Sequence, residues 1–387
     1  MAQPQLLTYY DCMQAAQDFL SSNATVAQQR DIRRVIHEAY RDLGEEFGWS
    51  FLHKQGRVQL SALYNTGTVG YNNTTRVLTL TSGSWPTWAQ DATVRVDDLP
   101  CRVQTRTNTT SLTLDSVMNP GQAVASGTSY QIYPTCYTLP HDFLSMVQPW
   151  GESPWKMGKE VSYDRIMALD RYRQTSGDMR EFCIREVSDL HGSMGLYIHP
   201  PSDAAETVDF IYQRKGRPLR YTGHDTADRQ GTITVTSAGA VTGSGTAFDS
   251  LMAGSVMRIG MDGTNIPTGL DGLYPYSDER VIASVGGATS ITLDGTTTAR
   301  SSVKYVITDP VDLDISLANC LFAGIRQRLA IQRNLKNKGE FVAVYLEEIR
   351  KARQKDHRVY QRAVAGAGLV TNRRWGDTPY LADLDNS

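Results

Sequence analysis

Thr110-Ser111-Leu112-Thr113-Leu114-Asp115 returns far along the chain as Thr289-Ser290-Ile291-Thr292-Leu293-Asp294. Both stretches alternate apolar and polar residues with period two, the pattern of a strand with one buried face. Four further landmarks accompany them in the same order. Gly67-Thr68-Val69 matches Gly231-Thr232-Ile233, and Ser82-Gly83-Ser84-Trp85 matches Ser244-Gly245-Thr246 with Phe248 close by. Val94-Arg95-Val96 matches Met257-Arg258-Ile259, and Tyr130-Gln131-Ile132-Tyr133-Pro134 matches Tyr305-Val306-Ile307-Thr308-Asp309-Pro310. Landmarks kept in register read as two copies of one small β-module. Short strands between Gly, Ser and Thr turns predict an antiparallel sandwich or barrel for each copy. The second copy carries an insertion near 261–277, rich in Gly and Pro, which reads as a long loop.

Outward from the repeat the texture is helical. Ala15, Phe19 and Leu20 share a face in the first run. A second run from Val26, with Thr25 as a plausible N-cap, spaces Ile32, Val35, Ile36, Ala39, Tyr40, Leu43 and Phe47 by three and four. Trp49-Ser50-Phe51-Leu52 follows as a bulky plug, read as packing between helix and sheet. Toward the C-terminus, Leu313–Leu335 and Glu340–Gln361 are predicted as two helices broken at Lys336-Asn337-Lys338-Gly339. The chain therefore divides into helices (1–55), a first β-module (56–140), a mixed α/β region (141–230), a second β-module (231–310), further helices (311–362) and an extended tail (363–387). Amphipathic helices at both ends must bury their stripes, and packing them together is the economical solution. The predicted class is α+β, a helical bundle made by the N- and C-terminal helices with two related β-modules inserted.

Composition is that of an ordinary globular protein: 387 residues, 40% hydrophobic, 21% charged, net charge −2. No basic-then-apolar leader opens the sequence and no apolar run reaches about 18 residues, so neither secretion nor a spanning helix is expected. The sequons at Asn72 and Asn108 consequently carry no weight. Cys12, Cys101, Cys136, Cys183 and Cys320 are scattered, odd in number and form no CxxC, which reads as free thiols in a reducing cytoplasm.

Catalytic signatures are missing. The sequence has no GxSxG, HExxH, P-loop or dinucleotide fingerprint. Asp209, Asp225 and Asp228 near His224 read as a polar loop rather than a metal site, and no cofactor is expected. What stands out is charge. From Arg326 to Arg362 eleven basic residues face Glu340, Glu347, Glu348 and Asp356, about +7 in a chain of −2. Arg350, Lys351, Arg353, Lys355 and Arg358 make the densest part. Such a face is either solvated and laced by pairs such as Glu347–Lys351, or it meets acidic protein or duplex phosphate.

The helix pair ending in Trp49-Ser50-Phe51-Leu52, the β region with Trp85-Pro86 and Trp88, and the closing Leu139-Pro140-His141-Asp142-Phe143 resemble the head-to-tail adaptor proteins of tailed bacteriophages. That resemblance implies a structural, non-enzymatic virion protein made in the host cytoplasm. It implies a ring, commonly of twelve copies, docked under the portal protein and continuing the DNA channel. The tail residues Arg373, Arg374, Trp375, Tyr380 and Leu381 would clamp the portal, combining aromatic anchors with charge. The β-modules would receive tail proteins such as nozzle, hub, tube or fibres. A tail hub, nozzle or tube component is the structural alternative. A host-glycan-binding protein is the alternative of another class, in which Trp85 and Trp88 would stack on sugar; a Trp beside Pro in a short turn reads more readily as core.

Overall fold

The computed structural model describes residues 6–20, 26–150, 158–172, 176–187, 192–269, 272–314 and 317–366. Among them are five α-helices and two curled, seven-stranded antiparallel half-barrel sheets, so the protein is α+β. The chain forms two compact units, 1–52 with 216–387 and 53–215.

The first unit opens with α1 (Tyr9–Leu20) and α2 (Val26–Glu46). Helix α2 buries Ile32, Val35, Ile36, Ala39, Tyr40 and Leu43, the stripe its spacing predicts. Helix α1 differs from expectation. It buries Tyr9, Cys12, Met13 and Ala16, while Phe19 and Leu20 are only partly covered. Its rotation is set by backbone bonds at its first turn: the Tyr9 N–H donates to the Asp309 carbonyl at 2.8 Å and the Tyr10 N–H to Thr308 Oγ1 at 2.9 Å.

In the second unit β1 (His53–Leu60) precedes the first module: β2 (Thr68–Asn72), β3 (Val77–Thr81), β4 (Thr93–Val96), β5 (Leu99–Arg106), β6 (Ser111–Leu114), β7 (Val124–Thr128) and β8 (Tyr130–Tyr133). The module's strand order is β7-β2-β3-β6-β5-β4-β8. Its inward residues, among them Val69, Leu78, Trp85, Val94, Val103 and Leu112, form one core. The Val58-Gln59-Leu60 run lies outside that sheet. Strand β1 pairs instead with β14 (Glu206–Arg214), far away in sequence. Gly56 permits this approach, because a Cβ there would lie 2.6 Å from the Phe210 ring. Between them lie β9 (Tyr137–Thr138), β10 (Phe143–Trp150), β11 (Lys159–Glu160), α3 (Tyr163–Tyr172), β12 (Glu181–Glu186) and β13 (Met194–His199). These complete two small sheets, β1-β14-β10 and β11-β12-β13-β9.

The first unit resumes with β15 (Thr232–Val235), β16 (Ala240–Ser244), β17 (Val256–Ile259), β18 (Asp278–Gly287), β19 (Ser290–Leu293), β20 (Arg300–Val303) and β21 (Tyr305–Thr308). Their order, β20-β15-β16-β19-β18-β17-β21, repeats the first module strand for strand. Detail repeats as well. The Tyr130 hydroxyl donates to the Thr66 carbonyl at 2.8 Å, and the Tyr305 hydroxyl to the Gln230 carbonyl at 2.8 Å. Trp85 meets Tyr130 edge-on at 5.1 Å, and Phe248 meets Tyr305 edge-on at 5.7 Å. Gly67 and Gly231 share positive φ (86° and 76°), and a Cβ at either would strike a backbone carbonyl within 2.2 Å.

Helices α4 (Ala318–Gln332) and α5 (Lys338–Gly366) follow. Helix α4 starts later than the predicted Leu313. The Val311 N–H donates to the Leu7 carbonyl, and the Leu313 N–H turns back to the Val311 carbonyl, which holds this approach out of helix. Leu321, Ile325 and Leu329 of α4 and Ile349 and Ala352 of α5 join the buried faces of α1 and α2 in one apolar core. No described helix is long and apolar enough to cross a membrane.

Candidate functional site

The plug is the inner end of this helical core. Trp49 is fully buried; its indole N–H donates to the Leu43 carbonyl at 2.6 Å, and its ring packs edge-on against Phe47 at 5.1 Å. Leu52 is buried, and Phe51 is partly covered and lies 5.8 Å from the Trp49 ring. Donating the indole proton satisfies a large aromatic that would otherwise bury an unpaired polar atom. The plug also grips α5: the Ser50 hydroxyl donates to Asp356 Oδ1 at 2.5 Å and its N–H to Oδ2 at 3.1 Å. That contact was not readable in the sequence, where Asp356 counts only as one of four acids in a basic segment.

The basic segment divides into two groups. Three cations are used internally. Arg328 reaches Glu38 and Asp42 of α2. Arg353 lies 3.3 Å from Glu46 and over the Phe47 ring. Lys351 bridges Glu347 at 2.8 Å and Glu348 at 3.0 Å along its own helix. The other group points outward. Arg326, Arg333, Lys336, Lys338, Arg350 and Lys355 are exposed, and among the described residues no carboxylate pairs with any of them. Lys338 donates to Asn334 Oδ1, a neutral group. Of the five residues singled out on α5, Arg350 and Lys355 are exposed and form no ion pair among the described residues, while Lys351 and Arg353 are paired. Arg358 belongs to α5, but its side chain lies outside the described residues, as do Arg373, Arg374, Trp375, Tyr380 and Leu381.

These outward cations are spread along α4, the α4–α5 turn and α5. Exposed apolar side chains lie among them: Ile331, Val344 and Leu346 are each at least half exposed. A surface combining unpaired cations with scattered apolar side chains is suited to a partner that is itself acidic.

The polar loop around His224 does structural work. Asp225 pairs with Arg33 at 2.5 Å, and Asp228 accepts the Gly223 N–H at 2.9 Å. The His224 ring stacks on Tyr10 at 4.4 Å. Burial lowers the His224 pKa to about 4 and raises that of Asp228 to about 6. Among the described residues, no three His, Cys, Asp or Glu side chains are placed to share a metal ion. All five cysteines are free thiols, and burial pushes Cys101 up to about 11 and Cys320 to about 12, away from reactive thiolate.

Two buried arginines escaped the sequence reading. Arg95 of β4 is 6% exposed and Arg258 of β17 only 1%. Each stands third in its strand and reaches a carboxylate on a helix of its own unit. Arg95 bonds the Asp170 carbonyl and lies 3.6 Å from its carboxylate, on α3. Arg258 grips both oxygens of Asp11 on α1, at 2.8 and 2.9 Å, and Glu279 at 2.9 Å. Comparison with family models, with curated proteins and with solved structures returns no match to this chain.

Proposed function

We propose that this protein is a structural adaptor of a phage particle: a ring component joining the portal of the head to the tail. In this reading α1, α2, α4 and α5 form the bundle that packs side by side around the DNA channel. The observation that carries it is the outer surface of α4 and α5, where six exposed cations form no ion pair with the described carboxylates, on a helical core contributed by residues from both ends of the sequence. A basic surface of this kind suits an acidic neighbouring subunit or, without sequence readout, duplex phosphate. The two half-barrel modules, sharing one strand order, would serve as stable outgrowths for tail proteins. The segment with Arg373, Arg374, Trp375, Tyr380 and Leu381 would clamp the portal.

The test is charge neutralisation. Replacing Arg326, Arg333, Arg350 and Lys355 together by Gln removes exposed, unpaired charge and should leave folding intact. Ring assembly on the portal should weaken and become less salt-dependent; assembly unchanged in strength and salt dependence would reject the role given to this surface.

A further inference from the structure

On α5 the spacing of the sequence ties exposed apolar side chains to exposed cations. Leu346 precedes Arg350 by about one helical turn and Val344 precedes Lys355 by about three, so each pair shares a stripe of the helix. Val344 is 51% exposed and Leu346 58%. Arg350 and Lys355 are exposed and form no ion pair among the described residues. A helix face that offers apolar surface and unneutralised cations together is complementary to a segment that combines apolar side chains with carboxylates.

The chain contains such a segment. Asp377-Thr378-Pro379-Tyr380-Leu381-Ala382-Asp383-Leu384-Asp385 carries three carboxylates, no cation and the large apolar side chains of Tyr380, Leu381 and Leu384. Arg373 and Arg374 precede it, so the two signs of charge are separated along the sequence. These residues lie outside the described ones, and the last described helix, α5, ends at Gly366. The connection is long enough to turn back. From Gly366 to Asp377 an extended chain spans up to about 36 Å, whereas returning along α5 takes about 17 Å to Lys355 and about 30 Å to Leu346.

We propose that residues 377–385 dock on the exposed stripes of α5 in their own chain, with the aspartates on Arg350 and Lys355 and the apolar side chains on Val344 and Leu346. The docking stands apart from the adaptor reading; its consequence for assembly rests on that reading. Tyr380 and Leu381 cannot hold α5 and the portal at once. The segment therefore covers the basic surface in the free protein, and the portal uncovers it by drawing the segment away.

Carbodiimide coupling of the full chain alone, in dilute solution and followed by peptide mass mapping, tests this. The reagent joins a carboxylate to an amine where the two are in contact. Links from Asp377, Asp383 or Asp385 to Lys351 or Lys355 should form within one copy. They should exceed links from the same aspartates to Lys159 and Lys215, exposed lysines of the second unit, on the order of tenfold. Leu381→Ser combined with Leu384→Ser leaves the charge unchanged and should reduce the α5 links several-fold. Absence of α5 links, links spread evenly over the four lysines, links confined to pairs of copies, or a yield unmoved by the two serines would each overturn the proposal. No portal is present in this measurement, so its failure leaves the adaptor reading untouched, and a protein that links as expected yet ignores the portal fails that reading alone.

Discussion

The two β-modules are one fold held by one set of internal contacts, yet they are tethered differently. Strand order, the tyrosine that ties β8 or β21 to the chain entering the module, the aromatic against that tyrosine and the positive-φ glycine all recur. Even the irregularities recur: the ladder slips between Val103 and Thr105 in one copy and between Ile282 and Ser284 in the other. The copies diverge at their edges. Asp97 and Asp98, both at positive φ, close β4 onto β5 as a tight hairpin, whereas residues 260–277 separate β17 from β18. Most tellingly, the shared arginine meets α3 in one unit and α1 in the other. The core of the module is therefore generic, and the arginine of its next-to-edge strand is a handle that accepts whichever helical carboxylate its own unit supplies.

The largest effect should come from breaking the handles. Arg258→Ala takes the one guanidinium away from two carboxylates, Asp11 and Glu279, and we expect a loss of about 3–5 kcal/mol, the cost of removing one partner of a buried ion pair. Arg95→Ala should cost less, because Arg95 faces one carboxylate at 3.6 Å where Arg258 holds two within 2.9 Å. Denaturant unfolding followed separately for each unit checks this; equal losses would mean that the two handles are equivalent after all.

Truncating the aromatic should come next. Trp85→Ala and Phe248→Ala each empty a core position and should cost about 3–5 kcal/mol, with the larger Trp at the upper end. A negligible loss at Phe248 would show that the second module is held mainly by its handle. Smaller still, Tyr130→Phe and Tyr305→Phe each remove one hydrogen bond of equal length and should cost the same, about 0.5–1.5 kcal/mol. Unequal losses would show that geometry alone does not make the modules alike.

The smallest effect concerns pH, in the unit with the α1 handle. His224 titrates near 6.5 when unfolded and about 4 when folded, so its contribution falls as pH drops between those values. Asp228 moves oppositely, from 3.8 to about 6, so the folded state takes up a proton there and gains stability over nearly the same window. The two offset. Asp228→Asn should therefore expose the histidine, and melting temperature should fall more steeply from pH 6.5 to pH 4.5 than in the parent. Parallel pH profiles would contradict the opposition.

Much of the fold was legible because its signals are local. Period-two alternation is visible without a partner: Ser111-Leu112-Thr113-Leu114 and Ser290-Ile291-Thr292-Leu293 each show a buried face, and their flanking landmarks align. The α2 stripe is equally local. The handles were not legible. Val94-Arg95-Val96 and Met257-Arg258-Ile259 register only as matching strand landmarks, and nothing near Arg258 announces Asp11. The pairing of β1 with β14 was hidden for the same reason, since sequence texture joined Val58 to the nearest β-rich stretch. The basic segment was visible as a count of charges, but the sequence could not separate Arg353, turned onto Glu46, from Arg350, left facing outward.

The adaptor reading is tested most directly by native mass measurement of the purified protein, alone and mixed with the portal protein of the same particle. The predicted result is a monomer or weak oligomer that closes into a ring on the portal, with ring formation reduced when Arg326, Arg333, Arg350 and Lys355 are neutralised. A protein that ignores the portal, whether it stays monomeric or forms a stable ring by itself, would contradict it.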